Sequence, residues 1–367
     1  MWCEAVRWRE RGELGARRFE TAARARRTAS LALSNRKEFT TPHNGAINSL
    51  QVDLTERRYL LSGASDGSAA IFDVQNATEY EAGFIAKHRS ILLVDKQHEN
   101  GHKFVVSMAV WYPVDTGLFV TASFDQYVKV WDTNSTQVVM DFKMPGKVYS
   151  AAMSPIATTH MLIATGSADV QVHLCDIASG AFTHTLSGHR GSFELFTTFI
   201  FFKDLLCTAE DRQGQNCATA HYGAVTGLRT TTDGMYLLSS GSDSRLRLWD
   251  IDSGCNTLVN FEAMRLQTSK PLQLAVTEDP SLVFIPCMAS IKAYNLWSGM
   301  TFQTFRGHYE PVNCCYYSAQ EQELYTGSND MQILVWSPST PAGATFITTV
   351  QYFILQFHPK YHFDKDS

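Results

Sequence analysis

The sequence has 367 residues, of which 44% are hydrophobic, 12% aromatic and 18% charged, and its formal net charge is -5. This composition is typical of a folded globular protein and excludes a disordered tail, a collagen-like chain and a disulfide-rich miniprotein. The length fits either two ordinary domains or one large β-architecture.

The chain begins with a basic segment. Residues 1–42 contain ten Lys and Arg against five Asp and Glu, which leaves a charge of -10 on the rest of the chain. Because an acidic body does not attract nucleic acid in bulk, direct nucleic-acid binding is not expected. No run reaches the roughly 18 apolar residues of a membrane helix, so we expect an intracellular protein without membrane contact.

After this segment, one seven-residue pattern recurs five times. In each copy Ser or Thr stands four residues before an Asp, and the sixth residue after the Asp is usually aromatic. In four copies a His lies 22 or 23 residues before the Asp. This fixed spacing indicates a repeat architecture. The copies are Leu60–Asp66, Phe119–Asp125, Ile163–Asp169, Leu237–Asp243 and Leu324–Asp330.

These residue types predict a buried polar chain, a structural tetrad, within each repeat. The Asp can accept a hydrogen bond from the His, the His can meet the hydroxyl, and the hydroxyl can accept from a Trp indole. A hydrolase triad uses similar residues, but recurrence in repeat after repeat argues against catalysis, so no catalytic residue is expected. The predicted tetrad residues are His43, Ser62, Asp66, His102, Thr121, Asp125, Trp131, Thr165, Asp169, His221, Ser239, Asp243, Trp249, His308, Thr326, Asp330 and Trp336.

Between these positions the chain alternates with period two, as in Val128–Trp131 and Leu246–Trp249, which indicates strands with one buried face. The sequence therefore predicts an all-β, seven-bladed β-propeller over residues 37–340, with residues 1–36 as an arm. Lys37–Thr41 is placed to supply the outer strand of the last blade. The predicted units lie near residues 43–75, 102–134, 146–180, 189–217, 221–254, 267–299 and 308–338.

The 189–217 unit is defective. His189 and His221 are only 32 residues apart, whereas the flanking His-bearing units repeat at about 42–44, and Cys207 and Cys217 replace the hydroxyl and the Trp. Either one blade is truncated, or the sequence derives from an aberrant transcript or gene model. We favour the second explanation. Residues 341–367 form an apolar tail beyond ring closure, which is either a partner-binding segment or a further gene-model error.

The eight cysteines show no C-x-x-C spacing, and no phosphate-binding loop or non-repeating His/Cys/Asp cluster is present in the sequence. We therefore expect reduced thiols, no metal, no cofactor, no small-molecule substrate and no enzymatic activity. A non-catalytic interaction platform is the default function of such a propeller.

The Gly-His to Trp-Asp pattern is that of WD-repeat proteins, and segments between the motifs resemble the Cockayne syndrome group A family in its plant form. These segments include Trp111-Tyr-Pro113, Tyr149–Pro155, Asn256–Asn260 and Val312-Asn-Cys-Cys315. The resemblance implies a nuclear, substrate-recognition subunit of a cullin-four RING E3 ubiquitin ligase in transcription-coupled nucleotide-excision repair of DNA damage. The alternative is a generic WD-repeat scaffold for a signalling or chromatin complex.

In that family a short, basic, helical N-terminal arm inserts into the damaged-DNA-binding adaptor protein. By position, the arm residues here are Arg24, Arg26, Arg27 and Leu31. A solvated arm or a nuclear-import signal would have the same composition. The Trp-Asp-x-Arg box that many such receptors carry is absent after Trp131 and Trp249.

The resemblance also implies that the free propeller face presents a stalled-polymerase repair factor of the Cockayne syndrome group B type. The loops that carry each His and each Asp lie at one end of the ring, and exposed Tyr and Arg are common binding anchors. The candidates for this partner surface are Phe124, Tyr222, Arg245 and Tyr309.

Overall fold

The computed structural model describes residues 2–81, 85–155, 161–169, 171–186, 221–222, 224–266, 270–277 and 281–339. Two helices, α1 (Trp2–Glu10) and α2 (Ala16–Ala29), precede 25 strands within these residues. Neither helix is long and apolar enough to cross a membrane. The predicted 189–217 unit and the 341–367 tail lie outside the described residues.

The strands, numbered in chain order, form six antiparallel sheets of a WD-type propeller, with one parallel addition. The first sheet contains β2 (Lys37–Thr40), β3 (Ile47–Val52), β4 (Tyr59–Ala64), β5 (Ala69–Asp73), β6 (Glu79–Glu81) and β7 (Ile85–Val94). The second contains β8 (Val106–Trp111), β9 (Leu118–Ser123), β10 (Tyr127–Asp132) and β11 (Val138–Lys143). The third contains β12 (Val148–Met153), β13 (Leu162–Ser167), β14 (Val172–Asp176) and β15 (Ala181–Leu186).

The remaining strands form three further sheets. The fourth sheet has three strands, β16 (Val225–Thr230), β17 (Tyr236–Gly241) and β18 (Leu246–Asp250). The fifth contains β19 (Ala275–Val276), β20 (Leu282–Cys287), β21 (Ser290–Asn295) and β22 (Thr301–Arg306). The sixth contains β1 (Leu31–Leu33), β23 (Val312–Ser318), β24 (Glu323–Ser328) and β25 (Ile333–Pro338). The innermost strands pack in succession, β23 on β3, β3 on β8 and β8 on β12.

Burial explains which residue types occur at each position of the repeat. The middle strand β9 is buried along almost its whole length, because neighbouring sheets cover both of its faces, whereas the outer strand β15 is exposed. Between the first and second sheets, Trp111, Phe119 and Trp131 belong to one buried cluster. The Phe119 and Trp131 rings stack at 6.1 Å with an interplanar angle of 9°. Aromatic residues, including the Trp of the repeat, thus fill the space between neighbouring blades.

The prediction that Lys37–Thr41 closes the last blade is wrong. The outer strand there is β1, in which Leu31 pairs with Pro338 and Leu33 with Trp336. The chain then crosses to the first sheet, where β2 pairs in parallel with β7. The reason is Phe39, which is buried in the core between the first and last sheets and can reach that position only if β2 lies between them.

Leu31 is also wrongly assigned to the adaptor-binding arm. Its side chain is 1% exposed and packs in the core of the sixth sheet, so it is inaccessible to a partner. The ring therefore begins six residues before the predicted boundary at residue 37. Asp66 and Asp125 are 59 residues apart because the hairpin of β6 and the ten-residue strand β7 lies between them. Together with β2, this hairpin enlarges the first sheet to six strands.

Candidate functional site

The second sheet contains all four tetrad residues in contact. His102 Nδ1 lies 2.7 Å from Asp125 Oδ2, and its Nε2 lies 2.6 Å from Thr121 Oγ1. Trp131 Nε1 donates to the same hydroxyl at 2.7 Å. Because the carboxylate can only accept, Nδ1 carries the proton, and the hydroxyl donates to Nε2. Each of these polar atoms therefore has a partner inside an apolar stack.

The sixth sheet repeats this arrangement. His308 contacts Asp330 Oδ2 and Thr326 Oγ1, each at 2.8 Å, and Trp336 Nε1 donates to Thr326 Oγ1 at 3.0 Å. Burial pushes the pKa of Asp330 upward, but the hydrogen bond and charge of His308 outweigh it, so the pKa is lowered. The carboxylate is thus held ionised as the acceptor at the end of the chain.

The fourth sheet adds a cation to its tetrad. His221 contacts Asp243 at 2.9 Å and Ser239 at 2.7 Å, and Trp249 Nε1 donates to Ser239 at 2.8 Å. Arg247 on β18 donates to Asp243 Oδ2 at 3.0 Å. Burial raises the pKa of Asp243, yet the hydrogen bonds from His221 and Arg247 prevail and lower it to about 2.

The first sheet contains a longer relay. His43 Nδ1 contacts Ser68 Oγ at 2.6 Å, and Ser68 in turn donates to Asp66, so the predicted direct bond from His43 to Asp66 is replaced by a bridge. His43 Nε2 contacts Ser62 Oγ at 2.7 Å. Phe72 occupies the Trp position and has no donor. Burial, only partly opposed by the charge of Asp66, lowers the pKa of His43 to about 4.

The third sheet has no upstream His, and its polar chain is rebuilt. Thr165 donates to the His173 carbonyl at 3.1 Å, and Asp169 accepts from His173 Nε2 at 2.6 Å. Sequence reasoning missed His173, Arg247 and Ser68. A usable signal exists for two of them, because the fourth residue after the Asp is basic in three copies, Lys129, His173 and Arg247. This position on the third strand faces back toward the Asp.

The tetrads also shape one end of the ring. The residue after each His donates its backbone N–H to the Asp, at 2.7 Å from Asn44 and at 3.2 Å from both Tyr222 and Tyr309. This bond fixes the backbone of the loop while the side chain faces solvent. Tyr222 is 81% exposed and Tyr309 87% exposed. Two exposed tyrosines are thus held on rigid loops at equivalent positions, as binding anchors require.

The other two partner-surface candidates differ in exposure. Phe124 is half-buried, with its ring edge-to-face with Tyr149 at 5.3 Å and Lys147 over the ring at 5.8 Å. Arg245 is exposed, and its backbone N–H donates to Asp243. All four candidates lie on loops at the same end of the ring, because each flanks a tetrad His or Asp.

The predicted arm contacts the ring at the end of α2. Thr28 is buried, its hydroxyl lies 3.0 Å from Tyr317 Oη, and Arg27 reaches the Glu321 carbonyl at 3.4 Å. Arg24 forms an ion pair with Glu20 one helical turn away, at 2.6 Å, and Arg26 is half-buried. The last turn of α2 is therefore attached to the sixth sheet.

In the part of the chain that the structure describes, no three His, Cys, Asp or Glu side chains are grouped so as to hold a metal ion. The described cysteines Cys175, Cys287, Cys314 and Cys315 are buried and free, and Cys255 is exposed and free. Burial raises the pKa of Cys287 to about 11, so this thiol is protonated at neutral pH.

Comparison with known proteins agrees with this geometry. The family model described as WD domain, G-beta repeat matches residues 94–132, 214–250 and 299–337. The chain is 51% identical over 429 aligned positions to the WD repeat-containing protein ATCSA-1 of Arabidopsis thaliana, with 92% of this chain and 95% of that protein covered. Since the alignment is longer than the chain, ATCSA-1 contains residues that have no counterpart here.

Two other relatives match part of the ring. Human transducin beta-like protein 3 is 28% identical over 52% of this chain and 26% of its own length. Subunit I of eukaryotic translation initiation factor 3 from Bombyx mori is 29% identical over 38% of this chain and 36% of its own length. These partial matches reflect the shared repeat, and WD propellers of this kind are generally non-catalytic scaffolds.

Proposed function

The chain belongs to the WD-repeat family that includes ATCSA-1, and on that premise we propose that it is the substrate-recognition subunit of a cullin-four RING E3 ubiquitin ligase in transcription-coupled nucleotide-excision repair. The observation that carries the proposal is 51% identity across 92% of the chain, together with the family-like segments between the motifs. The proposed place of action is the nucleus.

Two separate surfaces would serve this role. Helix α2, with Arg24, Arg26 and Arg27 near its end, is proposed to bind the damaged-DNA-binding adaptor protein. The opposite end of the ring, where Tyr222 and Tyr309 are exposed, is proposed to bind the stalled-polymerase repair factor of the Cockayne syndrome group B type. The attachment of α2 through Thr28 and Arg27 supports a fixed distance between the two surfaces.

We also propose that the complete ring has seven blades. The defective unit between His189 and His221 and the extra aligned residues of ATCSA-1 support this count. In the family the Trp-Asp-x-Arg box lies in the fourth blade, so its absence after Trp131 and Trp249 is consistent with an incomplete fourth unit.

Co-purification of the tagged, full-length chain with the adaptor protein tests the proposal. We expect the adaptor to be recovered with the unaltered chain and lost when Arg24, Arg26 and Arg27 are all replaced by Glu. A matched control replaces Arg7, Arg9 and Arg11, in and directly after α1, by Glu, because these arginines are exposed and the change in charge is identical. The control should retain the adaptor.

A second variant separates the two surfaces. Tyr222→Ala combined with Tyr309→Ala should retain the adaptor and lose the repair factor, because both side chains are exposed and β23 separates the Tyr309 loop from Glu321, which Arg27 contacts. Failure of the unaltered chain to recover the adaptor would refute the ligase role and favour the generic WD-repeat scaffold. Equal recovery with both arginine triple variants would refute the assignment of α2.

A further inference from the structure

A cavity of about 270 Å³ lies at the central opening, at the end opposite the His and Asp loops. Residues near the ends of the innermost strands line it, among them Gln51 on β3, Met108 and Trp111 on β8, Met153 on β12 and Arg229 on β16. The wall is mostly apolar with a few polar groups, which is the character of small-ligand sites.

The cavity wall carries one positive charge and no negative charge among the described residues. Of the described residues that line it, Arg229 is the only one with a formal charge, and no carboxylate faces it. The guanidinium has no hydrogen-bond or ion-pair partner among the residues that the structure describes. The nearby Asp53 carboxylate already accepts the backbone N–H groups of residues 56–59.

The two glutamines at the wall already form hydrogen bonds. Gln273 accepts from the Leu50 N–H at 3.0 Å and donates to the Leu50 carbonyl at 2.6 Å, so both ends of its amide are occupied. Gln51 Oε1 accepts from the Trp111 N–H at 2.8 Å, which leaves its NH2 group as a further donor. The cavity therefore offers donors from Arg229 and Gln51 but no unoccupied side-chain anion.

We propose that this cavity binds a carboxylate that carries a short aliphatic chain. The planar guanidinium matches the two oxygens of a carboxylate, and the single positive charge balances one negative charge rather than the two of a phosphate. Met108 and Met153 would contact the aliphatic part. The ligand source is either a free short-chain acid or a glutamate side chain that a partner inserts into the opening. The inference does not depend on the ligase role.

Titration of the full-length, isotope-labelled chain with butyrate, followed by NMR, tests the proposal. We expect saturable binding that shifts the Arg229 Nε–H signal, and no binding of butyramide, which has the same shape without the charge. Arg229→Gln should weaken butyrate binding at least about tenfold, since a hydrogen bond to a charged group has that value. Arg306→Gln, an exposed arginine on the outer strand β22, is the matched control and should leave the affinity unchanged.

The outcomes separate the sources and the alternatives. Tighter binding of an end-blocked Gly-Gly-Glu-Gly-Gly peptide than of butyrate would assign the site to a partner's glutamate, and the reverse would assign it to a free acid. Absence of butyrate binding, equal binding of butyramide, or a preference for inorganic phosphate would overturn the proposal. If Arg229→Gln does not fold, the butyramide comparison and the Nε–H shift in the unaltered chain decide.

Discussion

Replacement of Thr121 by Val probes the tetrad of the second sheet. Valine keeps the shape of threonine but removes the hydroxyl that accepts from Trp131 and donates to His102. Both partners are at most 1% exposed. The indole N–H and His102 Nε2 would therefore each lose the partner that the hydroxyl provides. A buried polar group without a partner costs about 1–3 kcal/mol. Because no cavity forms, we expect a loss of roughly 3 kcal/mol in the free energy of unfolding.

Thr165→Val in the third sheet is the matched control. Thr165 occupies the same position of the repeat and is equally buried, but its hydroxyl donates to the His173 carbonyl and otherwise contacts the sulfur atoms of Met144 and Cys175, with no Trp or tetrad His attached. We expect a loss of about 1 kcal/mol. Urea unfolding followed by far-UV circular dichroism gives the midpoints, compared at equal m-values. A loss for Thr121→Val no greater than for Thr165→Val would refute the view that the tetrad stabilises the blade through mutual satisfaction of its polar groups.

Three further substitutions test closure, pH dependence and backbone strain. Leu31→Ala should lower the free energy of unfolding by about 2–4 kcal/mol, because Leu31 is buried against Trp336; a loss below 0.5 kcal/mol by urea unfolding would contradict the position of β1. The His43 pKa is about 4 in the fold and 6.5 in the unfolded chain, so unfolding becomes easier by about 3 kcal/mol as the pH falls from 6.5 to 4. His43→Gln should make the urea midpoint less dependent on pH over this range, and an unchanged pH dependence would refute the lowered pKa of His43. Leu258 has φ of 61° and is 84% exposed, so Leu258→Asn should raise the melting temperature slightly, and a decrease would show that the left-handed conformation is not strained.

The two halves of the proposed ligase role depend on different parts of the chain. The adaptor-binding arm is a helix whose last turn is attached to the sixth sheet through Thr28, and the exposed tyrosines lie on loops that the tetrads hold. Substitutions in a tetrad should therefore disturb the tyrosine surface as well as stability. Asp330→Asn, for example, weakens the acceptor that fixes the Tyr309 backbone N–H.

The sequence by itself determined the repeat and the chemistry of its tetrads. Five copies of one spacing are a local property of the chain, and the donors and acceptors of His102, Thr121 and Trp131 admit few ways of satisfying one another once buried. Their geometry therefore follows from residue types alone. The alternation of Val128–Trp131 likewise indicates a strand wherever it lies in the ring.

Only the tertiary structure decided how the ring closes and how incomplete tetrads are repaired. Leu31–Leu33 and Lys37–Thr40 both read as short strands, and the burial of Leu31 and Phe39 against different sheets selects β25 for one and β7 for the other. Ser68 bridges His43 and Asp66 because the turn after β4 packs against the loop before β3. Pairing across more than 300 residues depends on which surfaces remain uncovered once the blades have packed. Local sequence does not determine which surfaces these are.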